Sequence, residues 1–228
     1  MKTQSTLDEL ENKIIACLFC PRLVEWREQT AHGKRRAYRD QKYWGKPVPG
    51  FGDPNARLLV VGLAPGAHGS NRTGRMFTGD ASGDFLFPAL HRARFANQPD
   101  ARHSDDGLIL QDIFITAVCR CVPPDNKPSR EEISLCLPYL VQEMKLLPNL
   151  KGIVALGSIA FFETLRLLGK KPTEIIFKHG AFYQWENENM WLLASYHPSR
   201  QNTQTGRLTV AMFDKIWQDA IKHLEQVV

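Results

Sequence analysis

Apolar positions recur every three or four residues from Leu7 through Leu10 and Ile14 to Cys17, a spacing that predicts an amphipathic helix delivering Cys17 and Cys20 at its carboxyl end. The pattern then dissolves. Residues 27–56 are polar and rich in Arg, Lys, Gly and Pro, which predicts a long surface loop leading to a first strand. From residue 57 the apolar residues gather into short unbroken runs, at 57–63, 113–118, 152–156 and 191–195. The first ends at Ala64, Pro65 and Gly66, and runs this short that end in turn residues predict buried strands. Between them, helical spacing predicts helices over 84–95, 129–147 and 158–168, and a final helix is marked by Val210, Phe213, Trp217, Ala220 and Leu224. The 129–147 segment opens with a Ser129-Arg130-Glu131-Glu132 capping box.

Strands alternating with helices imply parallel βαβ units. The fold expected is α/β, a three-layer α/β/α sandwich with a central, mainly parallel sheet, in which function collects at the carboxyl ends of the strands. The 228 residues, 43% of them hydrophobic, suffice for one core, so residues 1–228 are read as a single domain without internal repeats.

Charge and cysteine usage narrow the chemistry. Lys and Arg number 29 against 24 Asp and Glu, a net +5 suited to a polyanionic partner. The sequence has no apolar run of membrane-spanning length, and its first ten residues carry no apolar signal core, so a soluble cytoplasmic protein is expected. Five cysteines, an odd number, argue against a full set of disulfides in such a compartment and towards metal binding.

Residues 62–80 form the first chemical signal, a loop whose five glycines let backbone amides approach a ligand closely. The Gly-Lys-Ser/Thr of a P-loop and the GxGxxG of dinucleotide sites are both missing, which makes triphosphate hydrolysis a poor reading. The second signal is Ser195-Tyr196-His197-Pro198-Ser199-Arg200-Gln201-Asn202, which puts His197 at a strand end, on the edge expected for Asp80. A carboxylate that orients water and an imidazole that stabilises a developing anion are what cleavage of an N-glycosidic bond requires. Composition alone fits a capping aspartate and a hydrogen-bonded loop histidine equally well.

The third signal is the Cys17-x2-Cys20 pair with Cys121 and Cys136, which fourteen residues separate, and Cys119 left over. Four thiolates fit either a [4Fe-4S] cluster or structural zinc, and the spacing does not choose between them.

These three signals, in this order, closely resemble the iron-sulfur uracil-DNA glycosylases, in particular the type-b (family 5) branch of the uracil-DNA glycosylase superfamily, over nearly the whole chain. The family's first motif is similar to Gly62-Leu63-Ala64-Pro65-Gly66 running on to Phe77-Thr78-Gly79-Asp80, and its second to His197-Pro198-Ser199-Arg200-Gln201-Asn202. The resemblance implies a [4Fe-4S] cluster on Cys17, Cys20, Cys121 and Cys136, with Cys119 a bystander. It also implies catalytic roles for Asp80 and His197, with Asn126 as a third polar position, and a base pocket drawn from Gly62, Ala64, Gly66, His68 and Phe77. The related type-a branch carries Glu and Asn where this sequence has Leu63 and Ala117, which implies a less selective pocket open to hypoxanthine or xanthine.

The expected function is release of uracil or another deaminated base from DNA by nucleotide flipping, initiating base-excision repair. Phe77 would stack on the flipped base, and Ser199, Arg200, Gln201 and Asn202 would enter the minor groove. A monomer is expected. Two other readings stay open on sequence: a non-catalytic nucleic-acid-binding module held by a four-cysteine zinc site, and a hydrolase of free nucleosides.

Overall fold

Strands β1 (Phe51–Gly52), β2 (Leu58–Gly62), β3 (Ile113–Ala117), β4 (Gly152–Leu156), β5 (Phe182–Gln184) and β6 (Trp191–Ser195) form one sheet in the order β1-β3-β2-β4-β6-β5. The computed structural model describes residues 6–185 and 190–226. The four unbroken apolar runs of the sequence are β2, β3, β4 and β6. They are parallel to one another, and each is buried along its whole length. Burial on both faces explains why they read as continuous runs rather than alternating ones. The short edge strands β1 and β5 are antiparallel to β3 and β6.

Helices α1 (Leu7–Ile15), α2 (Pro21–Gly33), α3 (Ser70–Thr73), α4 (Gly83–Arg92), α5 (Arg130–Leu146), α6 (Ser158–Leu167), α7 (Arg200–Gln204) and α8 (Val210–Gln226) complete the chain. Successive strand residues point to opposite faces. On one face Leu58, Val60, Val154 and Leu193 join Phe87, Phe213 and Trp217 from α4 and α8. On the other, Leu59, Val61, Ile153 and Leu192 join Leu140 and Phe161 from α5 and α6. The result is the expected three-layer α/β sandwich. At the capping box Ser129 Oγ accepts from the Glu132 amide at 3.1 Å, and the Glu132 carboxylate accepts from the Ser129 amide at 2.7 Å.

The stretch 27–56 is not a plain loop. It holds the second half of α2, a 3-10 turn at Arg36–Tyr38 and β1. Helix α2 escapes the periodicity argument because its buried positions are Leu23 and an arginine, Arg27. A charged side chain on the inner face erases the apolar stripe by which such a helix is recognised. Strand β1 has only two residues and is held by backbone pairing with Phe114 and Ile115, which leaves no side-chain signature.

From β2 the chain crosses to β3 on one side, then returns to β4 on the other. That reversal makes a crevice at the carboxyl end of β2, the place where open α/β sheets bind ligands.

Candidate active site

The loop leaving β2 lies in this crevice. A cavity of about 410 Å³ opens there, lined by Leu63, Ala64, Gly66, Ser70, Met76, Phe77, Asp80, Ser82, Asp125, Asn126, His197, Ser199 and Gln201. Three segments distant in sequence thus meet: the glycine loop after β2, the turn after β3 and the His197 loop after β6.

Asp80 serves two purposes at once. Its Oδ1 accepts from the Ser82 and Gly83 amides at 3.0 and 3.1 Å, capping the start of α4. Its Oδ2 faces the glycine loop so closely that a Cβ on Gly69 would lie 2.0 Å away, and one on Gly66 2.8 Å away. The two glycines make room for the carboxylate. Burial raises the Asp80 pKa, opposed by the Gly83 and Ser82 amides, so the group is a stronger base than an exposed aspartate.

His197 follows β6, with its ring tilted 31° to that of Phe77 and the ring centroids 5.9 Å apart. Burial pushes its pKa down to about 4, so the imidazole is neutral at physiological pH and presents an N–H without a positive charge. Asn202 turns back to donate to the His197 carbonyl at 2.9 Å, and its side chain braces the loop. Phe77 has φ 54°, unusual for a residue with a Cβ, and Gly62 lies beneath its ring, where a Cβ would come within 2.7 Å. Glycine at 62 therefore admits the ring to the cavity.

The sequence-derived base pocket divides on this geometry. Ala64, Gly66 and Phe77 line the cavity, and Gly62 supports it from below. The His68 ring is instead engaged outside it, with Nδ1 3.1 Å from the Tyr43 hydroxyl. Asp125 and Asn126 line the cavity on a turn where both have positive φ, 53° and 56°. Ser70, Met76, Ser82 and Asp125 were not anticipated as lining residues. Ser70 and Met76 belong to the glycine-rich segment 62–80, whereas Ser82 and Asp125 lie outside the segments that carried a chemical signal. In the His197 loop, Ser199 and Gln201 face the cavity and Arg200 is exposed. The aromatic residues of the basic segment pack inward: Tyr43 is buried and the Trp44 indole donates to the Pro47 carbonyl at 3.0 Å.

Cys17, Cys20, Cys121 and Cys136 line one further pocket, with Arg27 and Arg120 beside them. All four thiols are free, and among the described residues no three His, Cys, Asp or Glu side chains form a group placed to hold a metal ion. The Arg120 amide donates to Cys136 Sγ at 3.2 Å. Cys119, buried behind this pocket, donates its S–H to Cys136, and that bond together with Arg120 holds the Cys136 pKa down to about 7. Cys119 therefore has a contact of its own within the cysteine set.

Fold and cavity define the class: an open α/β protein with its ligand crevice at the sheet's switch point, furnished with a basic carboxylate and a neutral imidazole. Residues 49–221 match the family model described as the uracil DNA glycosylase superfamily. The chain is 52% identical over 207 residues to a type-5 uracil-DNA glycosylase of Thermus thermophilus, covering 91% of this chain and 93% of that protein. It is 51% identical over 222 residues to one of Mycobacterium leprae, covering 95% of each, and 44% identical over 213 residues to one of Pyrobaculum aerophilum, covering 93% and 91%. The chain belongs to the uracil DNA glycosylase superfamily and, with these relatives, to its type-5 group.

Proposed function

We propose that this chain hydrolyses the N-glycosidic bond between uracil and deoxyribose in DNA, initiating base-excision repair. The observation that carries the proposal is the meeting of Asp80, His197 and Phe77 on one cavity in a chain so similar to named uracil-DNA glycosylases. A base inside a duplex is out of reach of these groups, so the nucleotide is flipped into the cavity at a cost of about a few kcal/mol of unstacking. Phe77 stacks on the base. Water, oriented by Asp80, attacks C1′ as the C1′–N1 bond breaks, and the bonding pair leaves on uracil. Asp80 takes the proton from water. His197 donates a hydrogen bond to the developing uracil anion, and a neutral imidazole can do this without the cost of a buried cation. Asn126 supplies a further polar contact.

No lysine lines the cavity among the described residues, which favours release by water over Schiff-base chemistry. Leu63 on the cavity wall and Ala117 at the end of β3 add no side-chain hydrogen bonds to read the base edge, which favours acceptance of hypoxanthine or xanthine as well. Ser199 and Gln201 at the mouth, with exposed Arg200, form the minor-groove contact.

The four cysteines fit a [4Fe-4S] cluster. Four thiols around one pocket, in a chain so similar to type-5 uracil-DNA glycosylases, are the soft donor set that cluster ligation needs. Hydrolysis transfers no electrons, so when bound the cluster supplies structure: it ties the end of α1 and the start of α2 to the segment between Cys121 and α5.

The test is release of free base from a duplex oligonucleotide carrying one uracil, by protein with its metal content established. Release from that duplex and none from free deoxyuridine supports the reading. No release from either contradicts it.

A further inference from the structure

The cysteine pocket has a cation against it that the reaction does not use. Arg27, on α2, is 3% exposed. Its Nη1 donates to Cys121 Sγ at 3.1 Å and to the Cys17 carbonyl at 3.3 Å. Its nearest carboxylate is that of exposed Glu28, 3.6 Å from Nη2, and its Nε is buried without a hydrogen-bond partner. The other guanidinium at the pocket, Arg120, is already matched by buried Glu143 at 2.6 Å and by the Thr116 hydroxyl. A buried cation is costly unless an anion compensates it, and Arg27 has thiols where that anion would be.

Arg27 also reaches the catalytic loop. Its backbone carbonyl accepts from Asn71 Nδ2 at 3.2 Å. Asn71 is buried in α3, its amide donates to the Gly66 carbonyl at 3.0 Å and its carbonyl accepts from the Gly45 amide at 3.0 Å. Gly66, which accepts the Asn71 amide, and Gly69, two residues before Asn71, are the two glycines packed against Asp80 Oδ2. The sequence of contacts runs from Cys121 through Arg27 and Asn71 to the glycines around Asp80.

We propose that Arg27 is a positioning residue with two ends: its guanidinium is counter-charge and hydrogen-bond donor to the thiolates of the cluster, and its backbone carbonyl anchors the Asp80 loop through Asn71. The proposal rests on the cluster reading above, so iron and acid-labile sulfide in the native protein are measured first. Their absence removes the cluster and the proposal together, and leaves the glycosylase reading to its own assay.

With the cluster present, a fixed positive charge stabilises its more negative, reduced form. Arg27→Gln therefore shifts the cluster's reduction potential to a more negative value and speeds loss of visible absorbance under chelator by about tenfold. Arg27→Lys keeps the charge, so the potential returns most of the way to native. It forfeits the planar fork, so absorbance is still lost faster than in the native protein. Should Arg27→Gln fail to accumulate folded, Arg27→Lys carries the test alone. At the other end, Asn71→Ala leaves potential and absorbance unchanged and lowers kcat for uracil release about tenfold with KM held, because only the catalytic loop loses its anchor. Native potential and native chelator kinetics in the Arg27 variants would overturn the first half. An unchanged kcat in Asn71→Ala would overturn the second.

Discussion

Asp80 and His197 are held in states that an exposed side chain would not keep. Burial raises one pKa and lowers the other, which leaves a strong base beside a neutral donor. For His197 the folded pKa of about 4 lies below the ordinary 6.5, so its neutral form contributes stability that is full above pH 6.5 and is lost as pH falls through about 4. Thermal melts of native protein and His197→Gln across that window should diverge, with the native chain losing on the order of 2 kcal/mol more. Parallel curves would mean that the ring is not so desolvated. The glycine loop makes a second residue-scale prediction. Gly69→Ala puts a methyl where Asp80 Oδ2 lies and should cut base release by about a hundredfold with the fold intact, as read by kinetics beside circular dichroism. That Asp80 and His197 come to one cavity was legible in the sequence because each sits in a short motif, one closing the glycine loop that leaves β2 and one following β6. The place of Asp125 there was not: Pro124-Asp125-Asn126 announces a turn, and Asp and Asn tolerate its two successive left-handed residues, but nothing in the sequence says that the turn folds over the cavity. The His68 ring, close in sequence to the glycine loop, is held by Tyr43 and does not line the cavity, because proximity in sequence does not fix which way a ring points.

Among the elements, β2, β3, β4 and β6 and helices α4, α5, α6 and α8 follow the apolar spacing of the chain, because each buries enough surface to need it. The short pieces do not. Helices α3 and α7 have four and five residues, too few for a periodic stripe, and are set by glycine and serine caps at the site itself. Helix α2 hides behind Arg27. Its amino-terminal turns, through Leu23, Val24 and Arg27, line the cysteine pocket with the segment 17–20 that precedes them, so the cluster proposed there bears on the stability of these elements. Cys121→Ala should remove visible absorbance and lower the melting temperature, while uracil release falls only as far as the fold is lost. A colourless Cys121→Ala protein of native stability would end the structural role assigned to the cluster.

At the scale of the molecule, a net +5 is modest for a protein that follows DNA, and its placement matters more than its size. Arg200, exposed at the first position of α7, sits between Ser199 and Gln201, which line the cavity. Arg200→Ala should weaken binding to damaged and undamaged duplex alike and flatten the plot of log affinity against log salt by about one unit. A loss confined to uracil-containing duplex would instead make Arg200 a base reader. The switch point of the sheet accounts for the convergence of three distant loops, and the sequence revealed that convergence only through the order of its strands.

The most direct test of the whole account compares native protein with Asp80→Asn, the two matched in metal content, on one uracil-containing duplex at one salt concentration. The account predicts that the variant binds DNA as the native chain does, keeps its visible spectrum and melts no lower, because a desolvated carboxylate has been replaced by a neutral amide. It also predicts that uracil release slows by roughly a hundredfold or more. Release at the native rate by a folded Asp80→Asn protein would contradict it.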